Sequence, residues 1–467
     1  MPTAKSSQST HYDAIVIGSG QGGTPLSQAL AAAGMRTALV EREHVGGTCI
    51  NEGCTPTKTM VASGRVAYLA RRAADYGIHV GTPRVDMLRV RKRKRDIVRL
   101  FRGGSQRRIE KTPNLDLIFG HAQFISPTSI AVRNKKAKDC ALTADRFFIN
   151  AGCRPSVPQI TGLNDVPFLN STSIMELSVV PEHLLVLGGG YIGLEFGQLF
   201  RRLGSKVTVV QSANSLLTGE DADVASAVAE ILKEDGIHIL FEARAEKVAR
   251  HGSRIRLKLR IGGKVRSLEG SHLLVATGRV PNSDTLNLPA AGIATDHHGF
   301  IRVNDKLETS AKNIYALGDI KGGPAFTHIS YDDFRIIRTN LIEKGTVSTT
   351  GRLVPYTLFI DPQFGRVGLS ETEARQQNRA IRVAKMPMNY VARALEVDET
   401  RGFMKAVVDA NTNQILGAAV LGIEGGEIMA QIQLAMIGSL PYTVLQNAVF
   451  AHPTLSESLN NLFSHFQ

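Results

Sequence analysis

YDAIVIGSGQGGTPLSQALAAAGMRTALV, residues 12–40, passes from an apolar run through a glycine-rich turn into an alanine-rich stretch and back to an apolar run. The unbroken run AIVIG is the pattern of a strand buried on both faces, and TPLSQALAAAG, stopped by Gly34, is that of a helix. With RTALVE after it, the segment predicts a β-α-β unit. HLLVLGGGYIGLEFGQLFRRLGSKVTVVQ, residues 183–211, repeats the plan in register: Gly18, Gly20 and Gly23 correspond to Gly188, Gly190 and Gly193, and Gly204 is the second stop. A single G-x-G-x-x-G is a weak signal. Two copies, each between a strand and a helix, imply two dinucleotides, one per unit. In each, the first glycine permits the tight turn, the second lets backbone approach a pyrophosphate, and the third lets helix and strand pack closely. The helix N-terminus adds free N–H groups and partial positive charge.

The residue ending the second strand reads the adenosine ribose. Glu41 lies 18 residues after Gly23 and fits that role; Gln211 lies 18 after Gly193. A carboxylate there repels a 2′-phosphate and an arginine attracts one, whereas glutamine does neither. The second unit is therefore expected to accept NADH or NADPH, with a lean to NADPH because the repelling carboxylate is missing.

The chain has 467 residues, about three domains' worth. No uncharged apolar run reaches the roughly 18 residues that span a membrane, and MPTAKSSQST (1–10) lacks the apolar core of a secretory signal, so it reads as a short disordered lead of a cytoplasmic protein. Net charge is +13, and residues 89–111 alone carry eleven basic and two acidic side chains. That segment is a solvated helical face or a surface for an acidic partner. No nucleic-acid motif accompanies it, so nucleic acid is an unlikely partner.

Cysteine is scarce: four residues, two of them in GGTCINEGCTPTK, 46–58. Four cysteines make no secreted disulfide framework, and structural zinc needs about four ligands, which the spacing does not supply. No metal site is expected. A close cysteine pair can instead take up two electrons as a disulfide is reduced. CTPTKTMVASGRVAYLARRAA reads as a helix with Pro56 in its first turn, placing Cys54 at the positive end.

Further on, IRLKLRIGGKVRSLEG (255–270) reads as alternating strands. FMKAVVDANTNQILGAAVLG (403–422) reads as a hairpin followed by the helix GEIMAQIQLAMIGS. A boundary falls near EKGTVSTTGRLVPY, and an α+β domain follows it.

Taken in order, the two glycine units, GGTCINEGCTPTK, VATGRVPN (275–282), NIYALGD (313–319) and AHPTLSESLN (451–460) resemble the class I pyridine nucleotide–disulfide oxidoreductases, the group of glutathione reductase, lipoamide dehydrogenase and mercuric reductase. The resemblance covers nearly the whole chain. It implies an α/β fold of two Rossmann-like dinucleotide-binding domains plus a C-terminal α+β dimerisation domain. The division is 1–153 and 278–349 for FAD, 154–277 for NAD(P)H and 350–467 for dimerisation. It implies FAD contacts at Gly18, Gly20, Gly23, Glu41, Gly47, Thr48, Lys58, Ala122 and Asp319, the last on the ribityl chain. NADH or NADPH contacts are implied at Gly188, Gly190, Tyr191, Gly193, Gln211 and Gly278, with Tyr191 covering the nicotinamide pocket.

By the same resemblance Cys49 is the outward interchange thiol and Cys54 the thiol facing the flavin. Lys58 pairs with Glu195 beside the flavin. His452, oriented by Glu457 and preceding a cis proline, is the acid–base group and comes from the other subunit of a homodimer. The implied activity passes electrons from NAD(P)H through flavin and the cysteine pair to a small-molecule disulfide or a metal ion. CINEGCTPTKTM, THISYDDFRII (327–337) and HPTLSESLNNLF are most similar to the reactive-chlorine-response, copper(II) reductase-like branch. Thr55 departs from the usual aliphatic residue. Mercuric reductase-like and lipoamide dehydrogenase-like activities are the alternatives. The sequence ends NNLFSHFQ without the vicinal cysteines that capture mercury, and Gln211 stands where lipoamide dehydrogenases carry an acid. A vestigial flavoprotein fold that binds anions or nucleic acid is the reading from another class.

Overall fold

A computed structural model describes residues 10–134 and 139–467. The lead expected at 1–10 lies outside them apart from Thr10, which starts the first strand. Two compact units result, each made of three chain segments. One comprises Met1–Thr57, Lys92–Ser156 and Gly278–Arg352; the other comprises Lys58–Arg91, Val157–Thr277 and Leu353–Gln467.

The first unit is built on a mixed sheet. Thr10–Ile17 lies in its middle, parallel to Thr37–Glu41 on one side and to Cys140–Ile149 on the other. Leu115–Phe119 extends the parallel part, Ile314–Ala316 pairs parallel with Cys140–Ile149, and two antiparallel strands, Ser129–Arg133 and His121–Ser126, complete it. The middle strand is apolar and buried over Ala14–Ile17, where both faces are covered. Ile15 and Ile17 face one core, with Phe124 and Phe147; Ala14 and Val16 face the other, with Leu26 and Leu30 of the helix Gly23–Ala32. Gly34 ends that helix at φ 88°, a backbone angle that costs a glycine little.

The second unit repeats the design. His238–Leu240, Lys206–Val210, His183–Leu187 and His272–Val275 form a wholly parallel sheet. The helix Tyr191–Leu203 packs on it and stops at Gly204, φ 115°. Arg254–Ile261 and Lys264–Gly270 form the antiparallel pair read from their alternation, joined through Gly262 and Gly263, both at positive φ as a two-residue hairpin turn requires. A five-stranded antiparallel sheet contains the Phe403–Asp409 and Ile415–Gly422 hairpin, backed by the helix Gly425–Ile437. Its Phe364, Phe403 and Leu421 join Leu184, Val186 and Val209 in one apolar cluster, so sheet and dinucleotide fold share a core.

Residues 89–110 of the basic segment lie on the helix Met87–Glu110, where Lys92 and Arg99 both pair with Asp96. Among the described residues no helix is long and apolar enough to cross a membrane.

Candidate active site

The two glycine loops have nearly the same geometry. A Cβ added at Gly23 would stand 2.0 Å from the carbonyl oxygen of Gly18, and one at Gly193 would stand 2.1 Å from that of Gly188. This is close packing of helix against strand, and it excludes any side chain. Beyond the first loop, the Ser19 N–H and hydroxyl donate to Glu41 Oε2 at 3.0 and 2.6 Å. In the second loop the Gly189 N–H donates to Gln211 Oε1 at 3.1 Å, and Gln211 Nε2 donates to the Ser215 carbonyl. Glu41 and Gln211 therefore close their loops by the same hydrogen bond, one with a charge and one without.

Both loops present backbone without side chains, as close approach of a pyrophosphate requires. A Cβ on Gly47 would lie 2.7 Å from Gly20 Cα, so this wall of the first loop is bare backbone; one on Gly190 would point into open space. Asp319 lies just past the strand Ile314–Ala316, partly buried. Burial pushes its carboxyl up, against the pull of Arg279 and Lys321. Its backbone carbonyl accepts from Cys153 Sγ at 3.4 Å. Its carboxylate takes no hydrogen bond among the described residues, which leaves it free for the hydroxyls of a sugar-like chain. Ala122 is buried in the core, so its contact with a ligand can only be through backbone. Gly278, at φ 123°, belongs to the first unit, and its carbonyl accepts from Ser156 N. These features fit FAD on the first loop and a second nucleotide on the other.

Cys49 sits in the short helix Gly47–Asn51 and Cys54 opens the helix Cys54–Arg71. Neither is in a disulfide. The Cys49 thiol is pushed up, first by its hydrogen bond with Cys54 and then by burial, while hydrogen bonds from Thr327 and the Thr55 backbone act the other way. Cys54 Sγ is 3.3 Å from Thr327 Oγ1. Asn51 holds the loop by donating to the carbonyls of Val45 and Gly47, and it accepts from Arg102 Nε at 2.7 Å.

In the second unit Lys58, one turn beyond Cys54 on the same helix, places Nζ 2.7 Å from Glu195 Oε2. Glu195 is 7 % exposed, and its other oxygen accepts from Phe359 N at 2.9 Å. The Lys58 ammonium also lies 4.8 Å above the Phe359 ring. His452 Nδ1 is 2.9 Å from Glu457 Oε2, the bond to Pro453 is cis, and the imidazole is 68 % exposed. Tyr191 is the first residue of the helix that follows the second glycine loop.

Residues 12–333 match the family described as pyridine nucleotide-disulphide oxidoreductase, and 354–463 match its dimerisation domain. The chain belongs to the pyridine nucleotide–disulphide oxidoreductases. It is an FAD-dependent enzyme that draws electrons from NAD(P)H. It is 38 % identical over 457 residues to the probable pyridine nucleotide-disulfide oxidoreductase RclA of Escherichia coli (strain K12), covering 97 % of this chain and 99 % of that one. It is 35 % identical over 450 residues to a mercuric reductase of Bacillus cereus, covering 96 % and 70 %. Among solved structures, the Cu(II) complex of the HOCl-induced flavoprotein disulfide reductase RclA from Escherichia coli superposes with TM-score 0.90 at 37 % identity, covering 97 % and 99 %.

Several residues that shape this oxidoreductase went unnoticed in the sequence. Asn150 Oδ1 accepts from Gly23 N at 2.9 Å, and its Nδ2 donates to the carbonyl of Leu317 and to Ser330 Oγ. Asp333, fully buried, accepts from Gly318 N and pairs with Lys321 and Arg352. One signal existed for Asn150. NAGCRP (150–155) echoes ATGRVP (276–281), and Cys153–Pro155 and Arg279–Pro281 pair antiparallel. Thr327 and Asp333 had none beyond their place in THISYDD, because their partners are hundreds of residues away or buried by the fold.

Proposed function

We propose that this enzyme reduces a small-molecule disulfide in the cytoplasm, through Cys49 and Cys54, as a homodimer. The observation that carries it is the hydrogen bond between the thiols of Cys49 and Cys54 at the start of a helix. When bound on the first loop, FAD would supply two-electron transfer from NAD(P)H to the cysteine pair. Gly18, Gly20, Gly23, Glu41, Gly47, Thr48, Lys58, Ala122 and Asp319 hold it, with Lys58 fixed by Glu195. Gly188, Gly190, Tyr191, Gly193, Gln211 and Gly278 hold either nicotinamide nucleotide, because Gln211 neither repels nor attracts a 2′-phosphate. The parts 1–153, 154–277, 278–349 and 350–467 serve FAD, NAD(P)H, FAD and dimerisation in turn.

The reduced pair divides its labour. The hydrogen bond with Cys54 and burial push the Cys49 thiol up, and the N-terminus of the helix that Cys54 opens favours the thiolate there. His452 of the partner subunit, oriented by Glu457, removes the Cys49 proton as Cys49 attacks the substrate disulfide. One thiolate leaves and takes the proton from His452, and a Cys49–substrate mixed disulfide forms. Cys54 then attacks Cys49 Sγ, expels the second thiolate and closes the Cys49–Cys54 disulfide. The substrate gains two electrons and the pair loses two. Copper(II) is the second acceptor to consider, because a copper complex of the 37 % identical flavoprotein has been solved. Two copper(II) ions taking one electron each would close the same disulfide.

The test is anaerobic titration of FAD-loaded enzyme with NAD(P)H, followed by acceptor assays. Wild type should take up two electrons more than its flavin alone holds, and C49S and C54S should take up only those of the flavin. Equal uptake by all three removes the cysteine pair from the pathway. Glutathione disulfide, lipoamide, copper(II) and mercury(II) assayed side by side then identify the acceptor class.

A further inference from the structure

In the first unit a buried carboxylate joins the turn that carries Asp319 to a cleft that the proposed chemistry does not use. Asp333, on the helix Thr327–Leu341, is fully buried. Its Oδ2 accepts from the Gly318 N–H at 2.8 Å and lies 3.3 Å from Lys321 Nζ; its Oδ1 lies 2.7 Å from Arg352 Nη1. Lys321, 7 % exposed, already balances that charge. Arg352 is a second cation on the same carboxylate, shared with Asp332 at 3.3 Å. Both of its ion pairs use Nη1, and among the described residues its Nε and Nη2 make no hydrogen bond. That edge of a guanidinium offers two parallel donors, which match a phosphate or a carboxylate.

Arg352 lines a cleft of about 390 Å³, the size of a small-molecule site. Arg335 lines it too; its guanidinium lies 4.9 Å from the Tyr331 ring and forms no ion pair among the described residues. Asn340 fixes the cleft's loop to its helix, donating to the Val347 carbonyl at 2.7 Å and accepting from the Val347 N–H at 2.8 Å. The other polar side chains lining the cleft are Thr339, Ser348, Thr350 and Asp332. Ser348 Oγ accepts from Thr350 N, so its own hydrogen is left to donate. Two guanidiniums suit a dianionic phosphate, while hydroxyls and one carboxylate suit the hydroxyl groups of a polyol. We propose that this cleft binds a sugar phosphate, its phosphate held by Arg335 and the open edge of Arg352. The bound ligand orders Arg352 and, through Asp333, the Gly318–Asp319 turn. Cleft and flavin then favour each other, because coupling between two sites acts both ways. That link rests on the placing of Asp319 against FAD in the proposed function.

Calorimetry of oxidised, FAD-loaded enzyme with ribose 5-phosphate tests the site, with inorganic phosphate and ribose as the other arms. Ribose 5-phosphate should bind, inorganic phosphate about tenfold more weakly, and ribose not measurably. Arg335→Gln, at an exposed position, should weaken ribose 5-phosphate about tenfold or more, the worth of a hydrogen bond to a charged group, and Arg335→Lys should recover part of it. No binding by wild type, or equal binding by Arg335→Gln, overturns the site. Equal affinity for inorganic phosphate makes it a general anion site and overturns the sugar phosphate. Release of FAD, followed by flavin fluorescence after dilution, tests the link. Ribose 5-phosphate should slow release about fivefold in wild type and leave Arg335→Gln unchanged. Unaltered release at saturating ligand overturns the link. Asp319→Ala separates the two readings: if it does not speed FAD release, the placing of Asp319 has failed rather than the cleft.

Discussion

Thr327 shows how much a single hydroxyl can do at the cysteine pair. It reaches Cys54 Sγ at 3.3 Å and hydrogen-bonds Cys49, whose thiol it pulls down against burial. It is also the first residue of the helix Thr327–Leu341, whose N-terminus adds partial positive charge. Replacing Thr327 by Val should raise the pH midpoint of thiolate formation in the reduced pair by about one unit, which is roughly the worth of one hydrogen bond to a charged sulfur. Absorbance of the reduced enzyme followed against pH measures this, and Thr327→Ser should restore the wild-type midpoint. The cysteines themselves were legible because rarity, spacing and the following Pro56 act along the chain. Thr327 was not, because it is 273 residues from Cys54 and only folding joins them.

At the level of elements, the two loop–helix units respond to the same injury with different losses. Any Cβ at Gly23 or Gly193 collides with a carbonyl oxygen at 2.0 or 2.1 Å, so the helix must move off the strand and the N–H groups at its start lose their aim. Gly23→Ala should purify without bound FAD. Gly193→Ala should keep its FAD, and stopped-flow absorbance should show flavin reduction by NAD(P)H slowed by about 100-fold or more, since a misplacement near 1 Å costs that much. The units were readable because glycine at these three places answers a local steric demand. Asn150 stabilises the first loop from the end of another strand, and that support belongs to sheet topology, where Cys140–Ile149 lies beside Thr10–Ile17.

The whole molecule raises the question of what covers its C-terminal surface. Leu434 and Ile437 on the helix Gly425–Ile437 are 67 and 62 % exposed, and Val449, three residues before His452, is fully exposed. These apolar side chains lie on a domain of the dimerisation family, and we propose that a second copy of the chain covers them. If His452 acts across that contact, C49S and H452A homodimers should each be inactive in disulfide turnover. Mixed and reassembled in equal amounts they should recover about a quarter of wild-type activity, because half the dimers then carry one complete site. No recovery, with exchange shown by mass, would place His452 with the Cys49 of its own chain.

The sequence by itself determined the two strand–loop–helix units, the cysteine pair on its helix start and the dimerisation-family segment after the reductase segment. Those depend on periodicity, on glycine sterics and on the distance between neighbours in the chain. Lys58 and Glu195 were paired only through resemblance, since nothing in their spacing of 137 residues brings them to 2.7 Å. Tertiary structure decided the rest: Asn150 under the first loop, Thr327 on the thiols, and Glu220 under Tyr191. Asn150 and Glu220 are polar groups that packing removes from water, and a buried polar group must find its partner wherever the fold has placed one; Thr327 meets the thiols only because the fold spans the 273 residues between them.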